Sequence, residues 1–400
     1  MFKTAHIIGI LAGSLVAFAP FAGAQTEADS MAGKLVDAGF ANVRAFDNGS
    51  QKVFTIQNDT YKIQAQGIKK ALDVIKSSSS SDSLSYKVIV TYYDVPQVTL
   101  TYEPQTGSWE TTYRLDDSWK QVRGSQKLNS SFGKVDIVVY PQFSLMNLII
   151  TQVYQSLFQI SPAVEVSLWP GSKFTAMMKI PVWNDGYSTT ENYTHPYTIS
   201  LSQRFRDPWN LNIFGKASFG IFSNSRYGAA LELFHPFPDE RFSVEAQFGL
   251  LGIGYWNEFI YHFDDMDQFH WNVGASFYWP ATQTAFTLRA EKFLYGDKGV
   301  RFEMNRHFRY CTVGFYAEKG FLSDAHTNGG FRFMVSLPPY SHRRHGYIPR
   351  VTMGSMGMTY NANNEQYFYK EYKTEASDNI MEHNAFNPKY IDREIIKLNN

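Results

Sequence analysis

Between Tyr197 and Leu337 the chain alternates apolar with small or charged residues at a period of two. From Phe242 the apolar members are Phe242, Val244, Ala246, Phe248 and Leu250, with Ser243, Glu245, Gln247 and Gly249 between them. From Phe269 they are Phe269, Trp271, Val273, Ala275, Phe277 and Trp279, with His270, Asn272, Gly274, Ser276 and Tyr278 between. Period two places each set on one face of a strand. The apolar face carries aromatics at its ends and small or aliphatic residues in its middle. A strand that crosses a bilayer has that profile, rings at the interfaces and hydrocarbon between. After the N-terminus no apolar run reaches the roughly 20 residues of a spanning helix.

Charge and processing signals narrow the class. Lys plus Arg is 37 and Asp plus Glu is 37, so the formal net charge is zero. A nucleic-acid binder would carry a basic excess. The N-terminus reads as a secretory signal over residues 1–24: Lys3, an apolar segment from Ile7 to Phe18, and the small-residue site Ala22-Gly23-Ala24. A short buried helix is the alternative reading. No cysteine follows the site, so lipid attachment there is excluded. Cys311 is the only cysteine, so stability must come from hydrogen bonding and burial rather than an intrachain disulfide.

Residues 25–105 read as a compact α/β domain. Met31, Leu35 and Val36 have helical spacing, and Gly39 is placed to end that helix. Val43–Phe46 and Val53–Gln57 read as strands around Asp47-Asn48-Gly49. Ile68, Leu72 and Ile75 share a second helical face, and the run Ser77–Ser81 is a loop. Tyr86–Tyr93 and Gln97–Tyr102 make another strand pair around Asp94-Val95-Pro96, with Gln97–Tyr102 expected at a sheet edge open to a partner strand. Residues 106–133, with Trp109, Trp119 and Arg123, read as a connector.

Here the chain resembles a known family. Leu35-Val36-Asp37-Ala38-Gly39-Phe40-Ala41-Asn42-Val43-Arg44 is similar to the L-x-x-x-G-F-x-N-V start of the α/β domain in the YjbH-like exopolysaccharide biosynthesis family. Gln57–Lys62 followed by Ile68–Leu72 is similar to its next segment, and Asp94-Val95-Pro96 stands where it has a G-L-P turn. Leu201-Ser202-Gln203 and Ser223–Gly228 resemble its L-S-Q and N-x-N-R-Y-G segments. The resemblance spans most of residues 30–340. It implies an outer-membrane protein that accompanies exopolysaccharide or group 4 capsule export. This chain is shorter than longer members of that family, with one barrel where they have two, and it lacks a terminal aromatic.

Residues 134–337 are expected to form a transmembrane antiparallel β-barrel. Strands start near Val135, Pro162, Ser172, Tyr197, Leu211, Arg226, Arg241, Phe269, Gln283, Lys298, Arg309 and Gly330, about twelve, an even number as bacterial barrels have. Short connections, such as Pro170-Gly171-Ser172 and Pro280–Thr282, alternate with longer ones, such as Asn184–Pro196 and Gly252–Gln268. The short turn at Ser223–Ser225 is an exception among the longer set, and residues 144–160 fit a strand extension or a helix start. Outer-membrane barrels turn short ends to the periplasm, which puts the α/β domain and a polar tail, residues 338–400, on that side. A short strand at Arg350–Tyr360 is possible, and the tail beyond is expected to order only against a partner. Asn328–Val335 resembles the assembly signal of last barrel strands.

Arg204, Lys216, Arg226, Glu232, Glu245, Arg289, Glu291, Arg301, Glu303 and Arg332 lie opposite the apolar sets and are the lumen-facing candidates. On a lipid face an Arg or Lys at the midplane would cost about 2–4 kcal/mol. They suit a passage or binding surface for a hydroxyl-rich chain, or a charge network that fills a narrow barrel and shuts it. Catalytic, cofactor and metal signals are weak. Asp264-Asp265-x-Asp267 lacks the glycine and distant Glu of a calcium loop, His342–His345 reads as a basic turn, and His195 and His262 fix no triad. The expectation is a non-enzymatic outer-membrane barrel assisting polysaccharide export. Its partners would be outer-membrane lipid, the polymer and periplasmic export components. A plugged anchor or an outer-membrane hydrolase are the alternatives.

Overall fold

The computed structural model describes residues 27–79, 85–147, 154–187, 191–207, 209, 211–322, 324–362 and 368–399. The expected signal segment lies outside them. Helix α1 (Glu27–Asp37) buries Ala28, Met31, Ala32 and Leu35 on one face. It stops where Gly39 takes a φ of 97° and donates its N–H to the Val36 carbonyl at 2.9 Å. A side chain is strained in that conformation, and a Cβ there would meet Thr60 Oγ1 at 2.7 Å. Strands β1 (Ala41–Asp47) and β2 (Gln51–Gln57) form a hairpin. Helix α2 (Gln64–Ser78) then carries the chain to β3 (Ser85–Tyr92), which pairs parallel with β2, as such a pair requires a crossover. The chain returns through Tyr93-Asp94, with φ of 50° and 65°, into β4 (Val95–Glu103). Two left-handed residues make the tight turn whose twist suits a hairpin.

Two expectations for this domain are corrected. The strand β5 (Ser108–Thr112) pairs along β4, so Gln97–Tyr102 is an interior strand, and the sheet order is β1-β2-β3-β4-β5. The stretch read as a connector also supplies helix α3 (Asp117–Arg123), whose Val122 packs with Leu115 and Trp119 on Val53 and Ile89. The sheet is apolar on both faces and needs cover on both. The other face holds Leu35, Val43, Phe54, Ile56, Ile68, Leu72, Ile75, Val88 and Val90 in one core under α1 and α2.

The barrel wall follows in chain order: β6 (Val135–Asn147), β7 (Tyr154–Val166), β8 (Ser172–Asp185), β9 (His195–Arg206), β10 (Phe214–Phe222), β11 (Arg226–Pro236) and β12 (Phe242–Asn257). A four-residue strand, β13 (Ile260–Phe263), extends β12 as a hairpin beyond the wall. Then come β14 (Gln268–Trp279), β15 (Thr284–Lys292), β16 (Lys298–Phe308), β17 (Cys311–Gly320) and β18 (Asn328–Ser336). The twelve expected wall strands are present, but they do not close the ring. Past Pro338-Pro339 the chain makes β19 (Arg350–Met353) and β20 (Ser355–Asn361), and both pair with β6. β20 also pairs with β18, so the barrel closes at thirteen strands. This corrects the even count and the expected end at residue 337. With an odd count the first and last strands run the same way, and the β20–β6 seam is parallel.

Phe242, Val244, Leu250, Phe269, Val273 and Trp279 face outward and are exposed, as are Leu288, Phe302 and Phe315 on later strands. At one rim Tyr227, Tyr261, Phe263 and Trp256 pack edge to face. At the other, Trp169, Phe237, Trp279 and Phe308 are exposed beside the short turns. The α/β domain covers this second, near mouth. The Gly171 N–H donates to the Tyr93 carbonyl at 2.7 Å, and Thr112 and the Tyr113 N–H donate to Glu240 at 2.6 and 3.0 Å. The Tyr113 ring lies 5.7 Å from Phe214 and 6.0 Å from Phe234.

The tail is not a free appendage, and this too is a correction. After β20 ends at the far mouth, the chain re-enters the barrel. The Leu294 N–H donates to the Lys370 carbonyl at 2.9 Å and the Ser223 N–H to the Lys373 carbonyl at 3.1 Å. The segment runs down the lumen and leaves at the near mouth as helix α4 (Pro388–Asn399), which packs on α2 and β5. Ile391 of α4 joins the α/β core, with Phe386 and Ile395 against it.

Candidate functional site

The lumen is the place where polar chemistry concentrates. Inward positions alternate with the outward apolar ones, so every second position of a strand delivers a small, polar or charged residue to the lumen. Eight of the ten sequence-predicted residues line the lumen cavities: Arg204, Lys216, Glu232, Glu245, Arg289, Arg301, Glu303 and Arg332. At the far end, Arg301 is 2.9 Å from Glu303, 3.4 Å from Glu318 and 2.5 Å from Glu371. Arg332 reaches Glu303 at 3.3 Å and Glu371 at 3.7 Å. Glu291, fully buried, lies in the field of the Arg301 and Arg289 guanidinium groups. Arg226 turns instead to the carbonyls of Asn224 and Ser225, with the Tyr295 ring 5.3 Å away.

Deeper in, Arg289 pairs with Glu245 at 2.5 Å and Glu303 at 3.2 Å, and His383 lies 3.3 Å from Glu245. Lys216 sits between Glu232 at 3.0 Å and Asp378 at 3.1 Å. Nearest the α/β domain, Arg204 holds Glu375 at 2.7 Å. Lys173 spans Glu165 at 3.0 Å and Glu375 at 3.3 Å. The Tyr92 and Tyr93 rings, at the tip of the β3–β4 hairpin, both lie 5.1 Å from the Arg204 guanidinium. Tyr92 also touches Phe386 of the tail, with ring centroids 5.5 Å apart. Domain, wall and tail therefore meet at one point.

Sequence reasoning missed seven residues of this network. Glu165, Lys173 and Glu318 share the parity of the inward positions on their strands and could have been found by it. Glu371, Glu375, Asp378 and His383 lie in a segment with no strand period. Their signal was acidic residues every three or four positions, facing an expected basic lumen. Apolar contacts anchor this segment as well: Tyr372 rests on Phe222, Ala230 and Leu251, Tyr369 on Phe293 and Ala325, and Ala376 against Val138 and Tyr140. Breaking a buried pair by removing one partner costs about 3–5 kcal/mol, because the other charge is left buried and alone. Wall and tail thus hold each other by charge. Two cavities flank the tail. One, about 450 Å³, is lined by Arg289, Arg301, Arg332, Asn305 and Tyr316. The other, about 430 Å³, opens toward Tyr92, Tyr113, Phe234, Gln247 and Phe386.

The remaining motifs have structural placements. His195 packs between Tyr193 and Tyr197, at 4.9 and 6.3 Å, and His262 stacks on Tyr255 at 5.0 Å in the β12–β13 hairpin. Asp264 accepts the Tyr227 hydroxyl through its carbonyl, and Asp265 and Asp267 are exposed. From the His342–His345 cluster, Arg344 reaches Asp136 at 2.6 Å, and Arg350 shares that carboxylate at 2.9 Å. That pairing ties the seam to the wall. Beside it, in the α/β domain, burial raises the Asp59 carboxyl above the usual range, against the Gln57 hydrogen bond and the charges of Arg350 and Arg344. Among the described residues no group of three or more His, Cys, Asp or Glu is arranged to hold a metal.

No family model and no curated protein matches this chain. Among solved structures, three variants of the Rhodopseudomonas blastica porin align with it. One has 10% identity and a TM-score of 0.29 over 51% of this chain and 88% of the porin. A second has 10% identity and a TM-score of 0.30 over 51% and 90%, and a third 11% identity and 0.26 over 51% and 88%. At that level of similarity the barrel stands on its own strand pairing.

Proposed function

We propose that this is a non-enzymatic outer-membrane protein that assists export or surface assembly of an exopolysaccharide or capsule, and that its barrel rests closed. The observation that carries the closed state is the tail within the lumen, clamped by Arg301, Arg204, Lys173 and Lys216. An outward apolar band between two aromatic rims supports the membrane setting. Thirteen mutually paired strands meet the bilayer's demand that no backbone group go unsatisfied. The signal-like N-terminus and the short turns under the α/β domain support a periplasmic place for that domain and for α4. The polymer itself enters through the resemblance carried by residues such as Leu35–Arg44 and Ser223–Gly228.

Deleting the protein should strip polymer from the cell surface and leave it trapped in the periplasm. Unchanged surface polymer would overturn the export reading. A second reading, a permanently plugged anchor for envelope partners, is favoured by one observation: Ile391 of the tail is part of the α/β core. Planar-bilayer recording separates the two. A barrel that stays silent when residues 368–387 are removed, yet remains folded, is an anchor.

A further inference from the structure

We propose that the tail occupies the path of the exported polymer, and that this polymer is a linear acidic polysaccharide that competes with it. This rests on the export reading above. Five wall cations meet tail carboxylates: Arg301 and Arg332 at Glu371, Lys173 and Arg204 at Glu375, Lys216 at Asp378. With the tail gone, Lys173 keeps Glu165, Lys216 keeps Glu232, Arg301 keeps Glu303 and Glu318, and Arg332 keeps Glu303. Arg204 keeps no carboxylate among the described residues. The emptied wall therefore leaves the Arg204 guanidinium facing the lumen without a carboxylate partner.

The tail supplies that charge as a polymer would. Its carboxylates recur four and three residues apart, no more than about 14 and 11 Å along an extended chain. A neutral polymer in the same place would leave Arg204 without a counter-ion, which discriminates against it. Sugar is favoured over peptide by what lies beside the tail. Thr198, Ser223, Asn305, Tyr316 and Asn361 present hydroxyls and amides to a cavity of about 450 Å³, wider than an extended backbone needs. Because these ion pairs are part of what holds the tail, a polyanion that satisfies the same cations competes with it.

The test uses the full-length protein in detergent and trypsin cleavage after Lys373, which the docked tail keeps inside the lumen, beside its two cavities and out of a protease's reach. Polygalacturonate should speed that cleavage about tenfold over dextran of equal length, an effect that fades as salt screens the charges. The variant Glu371→Gln with Asp378→Asn is the internal standard and should be cut quickly with no polymer present. Arg204→Gln should narrow the gap between the two polysaccharides. Equal acceleration by dextran overturns the proposal. So does no acceleration by polygalacturonate, or acceleration by polyglutamate alone. A preference for polygalacturonate without an export defect in cells would refute the export role and leave the site. An export defect without that preference would refute the site alone.

Discussion

Glu375→Gln is the sharpest probe of how the lumen is closed. Glu375 is 1% exposed and serves Arg204 at 2.7 Å and Lys173 at 3.3 Å. The amide keeps the shape and loses the charge. Lys173 retains Glu165 at 3.0 Å and the Ser377 hydroxyl at 2.8 Å, so the loss falls on Arg204. Stranding one buried partner costs about 3 kcal/mol at the low end of the measured range. That shifts the docked tail toward the undocked state roughly 150-fold. The wall does not share this cost, since its ladder bonds are untouched. In planar bilayers the parent should be quiet, and Glu375→Gln should open in bursts while keeping the compact, heat-sensitive band of a folded barrel. Adding Arg204→Gln removes the stranded charge and should recover much of the loss, a coupling that a double-mutant cycle measures. If Glu375→Gln is as quiet as the parent, the ion pairs do not hold the tail, and the reasoning fails.

Three further outcomes are expected. Phe248→Lys should impair barrel insertion, at a cost of about 2–4 kcal/mol for a charge on the outward face. Gln247→Lys, one residue away on the inward face beside Asn272, should be tolerated, and equal folded yields would refute the face assignment. Asp59→Asn should raise the melting temperature at neutral pH. The folded carboxyl titrates above its unfolded value, so its contribution is full below about pH 4 and is lost as pH rises through the folded value. The gain should therefore vanish in acid. Ile391→Ala, at a fully buried site in the α/β core, should cost about 2–5 kcal/mol. It should also raise the hydrogen exchange of α2, which α4 covers, and unchanged exchange would mean that α4 is only laid against the domain.

The barrel was legible because each wall strand carries its own evidence. The alternation from Phe242 to Leu250 names its two faces without knowing its neighbours. The nine sequence-named residues of the α/β core were legible for the same reason, since helical and strand periods are local. What escaped is set by pairing. Ser108–Thr112 has too few residues to announce a strand, and it forms one because β4 offers an edge. The short strand expected at Arg350–Tyr360 was legible as a strand, but its place as the closing strand comes from β18 and β6 together. The lumen stretch of the tail, residues 368–387, has no strand or helix period. Its fold is written in the wall, in cations such as Lys173 and Arg204 that need carboxylates from elsewhere.

The parity of the wall has a practical reach for topology mapping. Thirteen crossings would leave the two ends of a chain on opposite sides of a bilayer. The return of residues 368–387 through the lumen acts as a fourteenth pass that the ring of hydrogen bonds does not count. A reporter fused after Asn399 must therefore give the same sidedness as one fused ahead of Glu27. A reporter fused after Asn361 must give the opposite one, although only the tail separates the two sites. Counting strands from such fusions would return an even number, and the surplus strand would in truth be the tail.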